Sequence, residues 1–336
     1  MMRFHGFGAA FAAAWLCSSA QAEDCKPLTS YGTIPLTEIE GEASEFVPVE
    51  IAGTKKLMML DTGAWYTTMS RATADELHLD AHSVNARVVD VTGGGTSRAV
   101  TATLKIGNIQ IPDTEFMLNT AAFDLNNPRV AGLLGGNIYQ AFDVSIDFGA
   151  HTLALLSQDH CEGKVVYWPE RPVAMVPIEI QSGDEIVLHV VLDGQDVKAI
   201  LDTGAEQSAL DEAAAKTLFG IQPGSADTPA TGNLNDQKGL TMWTHHFKSL
   251  SLAGIAVTNP QVDIIPDNRK VSLTGSSLSW QVSNINEPML LGMNVLRHLH
   301  LYIAYKEKKL YITPASNVPA ASASPAPAAP SPPPAQ

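Results

Sequence analysis

Leu60-Asp61-Thr62-Gly63-Ala64 returns 141 residues later as Leu201-Asp202-Thr203-Gly204-Ala205. One Asp-Thr-Gly carries little weight, because a tripeptide recurs by chance. The flanks decide the reading. Each Asp ends an apolar run, Leu57-Met58-Met59-Leu60 in one copy and Val197-Lys198-Ala199-Ile200-Leu201 in the other. A turn glycine, Gly53 or Gly194, stands eight residues before each Asp, and a second β-like run precedes it at residues 46–51 and 186–191. This is the pattern of a hairpin with one buried strand. Beyond each Asp the register holds. Thr67 and Ser208 follow at plus six, and Ser70 and Asp211 at plus nine. The latter two are good helix N-caps, and Ala-bearing stretches at 71–77 and 212–218 predict short helices.

The duplication continues outward. Gly93 and Gly94 lie in a polar, glycine-rich stretch about as far beyond Asp61 as Gly232 lies beyond Asp202. Strand-turn-strand patterns follow around Gly107 and Gly254. A third block then matches, Gly132-Leu133-Leu134-Gly135-Gly136-Asn137-Ile138 against Met289-Leu290-Leu291-Gly292-Met293-Asn294-Val295. The second copy is longer before this block, and its surplus is expected as a surface loop at 267–286.

The expected organisation is a secretory signal at 1–22, a lead-in at 23–45, a first lobe at 46–160, a linker at 161–172, a second lobe at 173–314 and a Pro/Ala-rich tail at 315–336. The signal rests on Arg3, an apolar run too short to span a bilayer, and Ala20-Gln21-Ala22 before Glu23. The chain is therefore expected in the periplasm or outside the cell, with no membrane insertion of the mature part. Its formal charge is -14, which disfavours nucleic acid as a partner. After the signal two cysteines are left, Cys25 and Cys161, and an oxidising compartment favours their pairing over two separate buried thiols.

A carboxylate at the end of an apolar strand is costly unless hydrogen-bond donors meet it. The threonine supplies a hydroxyl and the glycine lets a backbone amide come close. Two such loops related by pseudo-two-fold symmetry bring two carboxyls side by side. Like charges that close share one proton. Such a pair can activate a water and protonate a leaving nitrogen, which is amide hydrolysis without a metal or a covalent intermediate.

On these residues the sequence resembles the retropepsin-like aspartic proteases, in a bacterial single-chain form with two repeats. The resemblance covers about 46–156 and 186–313. It implies an all-β, bilobal acid-protease fold with the site between lobes. It implies Asp61 and Asp202 as the catalytic pair, and Thr62 and Thr203 as threonines that bond across to the opposite loop. Gly63 and Gly204 would support the carboxylates, and the stretches at Gly93, Gly94 and Gly232 would be flaps over a peptide. The retroviral arginine of the third block is replaced by Gly136 and Met293. Ala64 and Ala205 favour the retropepsin type over the pepsin type and a working pH from mildly acidic to near neutral.

The expected substrate is a peptide or protein bound as an extended strand. No cofactor and no metal are expected, and two repeats in one chain make a monomer sufficient. His245 and His246 point to opposite strand faces. His298 and His300 read as surface histidines, and Asp143 and Asp147 as solvent or turn residues. Trp65 and Tyr66 read as packing under the first loop, with a substrate-pocket wall as the sharper alternative. A catalytically silent peptide-binding module and a narrow processing enzyme are the competing functional readings.

Overall fold

The computed structural model describes residues 25–89, 95–118, 127–168, 173–181, 184–234, 239–266 and 287–316. The expected signal, Gly93 and Gly94, the surplus loop at 267–286 and the tail from 317 lie outside these residues.

The protein is mostly β, in two lobes. In the first, Phe46–Ile51 and Thr54–Leu60 form the expected hairpin, with Ala52 and Gly53 at φ 48° and 84° in its turn. The second lobe repeats it with Ile186–Leu192 and Gln195–Leu201 around Asp193 and Gly194, at φ 45° and 83°. Positive φ at both turn residues matches the right-handed twist of the strands, which is why a glycine sits at each second position. The end of the first Asp-bearing strand, Leu57 to Leu60, is apolar because both its faces are covered there. Met58 and Leu60 enter the main core, while Leu57 and Met59 pack with Phe46 and Leu133 in a smaller cluster. Each such side chain contributes about 1.5–3 kcal/mol by leaving water.

The third block supplies the parallel neighbour of each Asp strand. Val130–Leu134 pairs with Thr54–Leu60, and Met289–Leu291 with Gln195–Leu201. These strands belong to a 7-stranded sheet in the first lobe and a 10-stranded sheet in the second. Two of the short helices are Arg71–Glu76, capped by the Ser70 hydroxyl, and Glu212–Phe219, capped by the Asp211 carboxylate.

A 6-stranded sheet joins the lobes. Its order is Ser30–Pro35, Thr152–Leu156, Asp143–Asp147, Leu299–Ala304, Lys309–Pro314 and Ala174–Pro177. The two halves mirror each other about the central antiparallel pair, Asp143–Asp147 with Leu299–Ala304. Part of the lead-in is thus an edge strand. Ala315, first residue of the expected tail, is buried, and its amide donates to the His298 carbonyl at 2.8 Å. The disulfide joins Cys25 to Cys161, fastening the start of the first repeat to its end.

This sheet corrects the solvent reading of Asp143 and Asp147 and the surface reading of His300, while Asp147 does hold the turn that follows it. Asp143 and Asp147 are buried, not solvent-facing. Asp143 accepts from the Tyr302 hydroxyl at 3.1 Å and meets His160 Nε2 at 2.7 Å. Asp147 accepts from the Gly149 and Ala150 amides and from Ser316. His298 is exposed, but His300 is buried, with Nε2 2.9 Å from Ser145 Oγ and its ring stacked on Trp168. Most of these polar groups find partners across strands or in the turn, while Asp143 Oδ1 is buried with no hydrogen-bond partner among the described residues.

Candidate active site

The two Asp-Thr-Gly loops meet between the lobes. Each threonine makes two bonds across the join. Thr62 Oγ1 donates to the Leu201 carbonyl at 2.7 Å and accepts from the Thr203 amide at 3.1 Å. Thr203 Oγ1 donates to the Leu60 carbonyl at 2.7 Å and accepts from the Thr62 amide at 3.0 Å. All four groups are buried, so the bonds act at low dielectric, where an unpaired group would be costly.

The carboxyls are held from below. Asp61 Oδ1 accepts from the Gly63 and Ala64 amides at 3.0 and 2.9 Å. Asp202 Oδ1 accepts from Gly204 and Ala205 at 2.9 and 3.1 Å. Each carboxyl also lies against the opposite glycine. A Cβ at Gly63 would stand 2.5 Å from Asp202 Cγ, and one at Gly204 2.5 Å from Asp61 Cγ. Only glycine permits that approach. Burial, and then the charge of Asp202, pushes Asp61 well above the usual carboxylate range. Burial also raises Asp202, against the pull of its two amides. The charge of Asp202 bears on Asp61, as expected where two carboxyls share one proton. Asp61 is buried, whereas Asp202 is only half-buried.

A further layer carries each loop. Thr67 donates its amide and hydroxyl to Asn137 Oδ1, at 2.7 and 2.9 Å. Ser208 does the same to Asn294 Oδ1, at 2.8 and 2.7 Å. The same hydroxyls accept from the Gly135 and Gly292 amides. The plus-six hydroxyl and the third-block Asn are thus one unit, a link the sequence spacing did not disclose. At Gly135 and Gly292 a Cβ would press within 3 Å of the loop backbone. At Gly136 it would stand 2.9 Å from Asp184 Cβ, which explains why no long side chain occupies that place.

The flap glycines fare differently. Gly93 and Gly94 lie outside the described residues, although the arms beside them, His82–Val89 and Gly95–Ile106, pair as a hairpin. Gly232 is exposed, within the strand Ala230–Asn233 and next to a register shift, so it sits on a hairpin arm and not at a tip. Trp65 and Tyr66 are half-buried.

Sequence reasoning missed three neighbours of the pair. Tyr139 is buried beside Asp61; burial and then the Asp61 charge raise its hydroxyl well above its ordinary range. Ser44 Oγ reaches the Gly204 carbonyl at 3.5 Å, from one lobe to the other. Glu185 is raised by burial, bonds the Trp65 side chain and feels the Asp202 charge. None has a repeat partner of the same residue type, so the duplication gave no signal for them.

The family comparison bears on this geometry. The sequence model of a family described as aspartyl protease matches residues 47–138 and 188–295, the two halves that carry the paired loops. The chain belongs to this aspartyl protease family. Among solved structures it is similar in fold to an aspartic proteinase from Irpex lacteus, at 14% identity and TM-score 0.49, over 87% of this chain and 99% of that one. It is also similar to Basic 7S globulin from soybean, at 9% identity and TM-score 0.45, over 85% and 95% of the two chains. No match was found among curated proteins. Among the described residues of this aspartyl protease family member, no helix is long and apolar enough to cross a membrane.

Proposed function

We propose that the chain is an aspartic endopeptidase that hydrolyses peptide bonds in extended protein segments, with Asp61 and Asp202 as its catalytic residues. The observation that supports this reading is the pair of facing carboxyls, each pinned by two amides and seated on the opposite glycine. The ionised carboxylate takes a proton from a water held between the two. The water oxygen attacks the peptide carbonyl carbon while the protonated partner donates to the carbonyl oxygen. Collapse of the tetrahedral species breaks the C–N bond, and a proton passes to the leaving nitrogen. Thr62 and Thr203 keep the carboxyls in register, and Gly63 and Gly204 leave them room. The hairpin arms His82–Val89 and Gly95–Ile106 and the hairpin that carries Gly232 flank the substrate strand in this reading.

The finer family reading is a single-chain, retropepsin-like enzyme of bacterial type that acts as a monomer in the periplasm or after secretion. The Cys25–Cys161 disulfide supports an oxidising compartment. Raised titration of the pair supports activity from mildly acidic to near-neutral pH, because one proton stays on the pair there.

The test uses the chain from residue 23 and a peptide library between pH 3 and pH 8. Cleavage by the wild type and none by Asp61→Asn or Asp202→Asn is expected. Equal cleavage by all three overturns the assignment. Peptide binding without cleavage would replace it with a silent binding module.

A further inference from the structure

Outside the active site, one group of side chains differs in kind between the lobes. In the second lobe, the Ile178 amide donates to the Lys308 carbonyl at 3.0 Å, and Ile180 pairs with Ile186 across two strands. The first lobe has the same backbone. The Leu36 amide donates to the His151 carbonyl at 2.8 Å, and Thr37 bridges Phe46. His151 and Lys308 even share a left-handed turn conformation, at φ 52° and 53°. Where the second lobe places Ile180 opposite Ile186, the first therefore places Glu38 opposite Glu45.

The fold does not call for acids at this position, since an apolar pair fills it in the other lobe. Like charges directly opposite on neighbouring strands repel, and a buried carboxylate adds a desolvation cost. Glu45 is buried all the same, with 7% of its side chain exposed. His151 Nδ1 meets Glu45 Oε1 at 2.8 Å. The other oxygen, Oε2, is buried and has no hydrogen-bond partner among the described residues. Ligand atoms of Glu38, Glu45 and His151 all lie within 4.8 Å of one another.

We propose that Glu38, Glu45 and His151 form a binding site for a divalent cation of borderline softness, with Zn2+ as the representative. One imidazole nitrogen and two carboxylates suit such an ion. Ca2+ and Mg2+ take all-oxygen shells with more ligands, so they fit this donor set less well. Ligand bonds of about 2.0–2.2 Å in a tetrahedron set donors about 3.3–3.5 Å apart. The exposed Glu38 side chain can close that distance by rotation. Three protein donors leave the fourth position to water.

The site clamps residues 37–46 to the turn at His151. It also reaches the paired loops through the backbone. The Glu45 carbonyl accepts from the Leu60 amide at 2.9 Å, and the Leu60 carbonyl accepts from Thr203 Oγ1 at 2.7 Å. An ion here holds the end of the strand that carries Asp61.

The test reads binding and does not depend on proteolysis. The chain from residue 23 is stripped with chelator, dialysed and titrated with Zn2+ by calorimetry, with the thermal midpoint followed in parallel. One equivalent of Zn2+ binding and a raised midpoint are expected for the wild type. Affinity should fall at least about tenfold in Glu38→Gln, an exposed change that leaves the core intact, and in His151→Lys, which copies the second lobe's turn residue. Absence of stoichiometric binding to the wild type overturns the site. So does binding of equal affinity in both variants.

Discussion

The two lobes agree most closely where their loops meet and diverge away from it. Across the join the paired bonds of Thr62 and Thr203 differ by 0.1 Å at most, at 2.7 and 2.7 Å and at 3.0 and 3.1 Å. The Thr67–Asn137 and Ser208–Asn294 units differ by no more than 0.2 Å. Elsewhere a Glu38–Glu45 pair stands where the other lobe has Ile180–Ile186, and a disulfide serves only the first lobe. Identity is kept where both halves must present the same carboxyl in the same orientation. A difference in any one of these bonds would tilt one carboxyl away from the other.

The strongest way to break this comparison is at the carboxyls. Asp61→Asn and Asp202→Asn should each lower peptide cleavage by roughly 10⁴-fold, because residues acting as a unit fail together. A large loss from one variant alone would mean the lobes are not equivalent in function. Stability should move the other way. Both carboxyls titrate above their unfolded values, so the stability they contribute is full below the unfolded pKa and is lost as pH rises through the folded one. The Asn variants should therefore match or exceed the wild type in denaturant resistance at pH 7, with the advantage disappearing at pH 3.

The next effect belongs to one lobe only. Replacing Cys25 and Cys161 with Ser opens a loop with sequence separation 136 and should cost about 4 kcal/mol in urea unfolding. The second lobe has no cysteine at all, so the unfolding of its strands by hydrogen exchange should change less than that of the first. Equal changes in both would show that the lobes unfold as one unit.

Thr62→Val and Thr203→Val come third. Each removes a hydroxyl that serves two buried backbone groups, and should cost about 3 kcal/mol, with near-equal values for the two. Thr→Ser at either site should restore most of it. The smallest effect is at the helix caps. Ser70→Ala should cost about 1 kcal/mol, and Asp211→Ala somewhat more, since Ser70 accepts from one amide and Asp211 from two.

Much of each lobe was legible because its signals are local. Gly53 and Gly194 mark turns that need positive φ, and Ser70 and Asp211 cap helices within three residues. The duplication then doubled every local cue. The sheet between the lobes was not legible. Its central pair joins residues about 155 apart, such as Asp147 and His300, and no spacing rule connects them. For the same reason Asp143 read as a solvent or turn residue and His300 as a surface one, although Tyr302 and Ser145, far away in the chain, supply partners to them. The cross-loop bonds of the threonines were expected only through the family resemblance. Glu38, Glu45 and His151 stayed hidden because their meeting depends on one bridge and one hairpin turn far apart in the chain.

The mirrored order of the 6-stranded sheet has a consequence for dilution. Its central antiparallel pair is the kind of self-complementary contact by which two identical subunits associate. Here both sides of that contact sit on one polypeptide. Assembly of the two half-sites is thus governed by a local concentration set by the connecting chain and not by mass action. Specific activity should stay constant however far the protein is diluted, where a two-subunit counterpart would fall apart and fall silent.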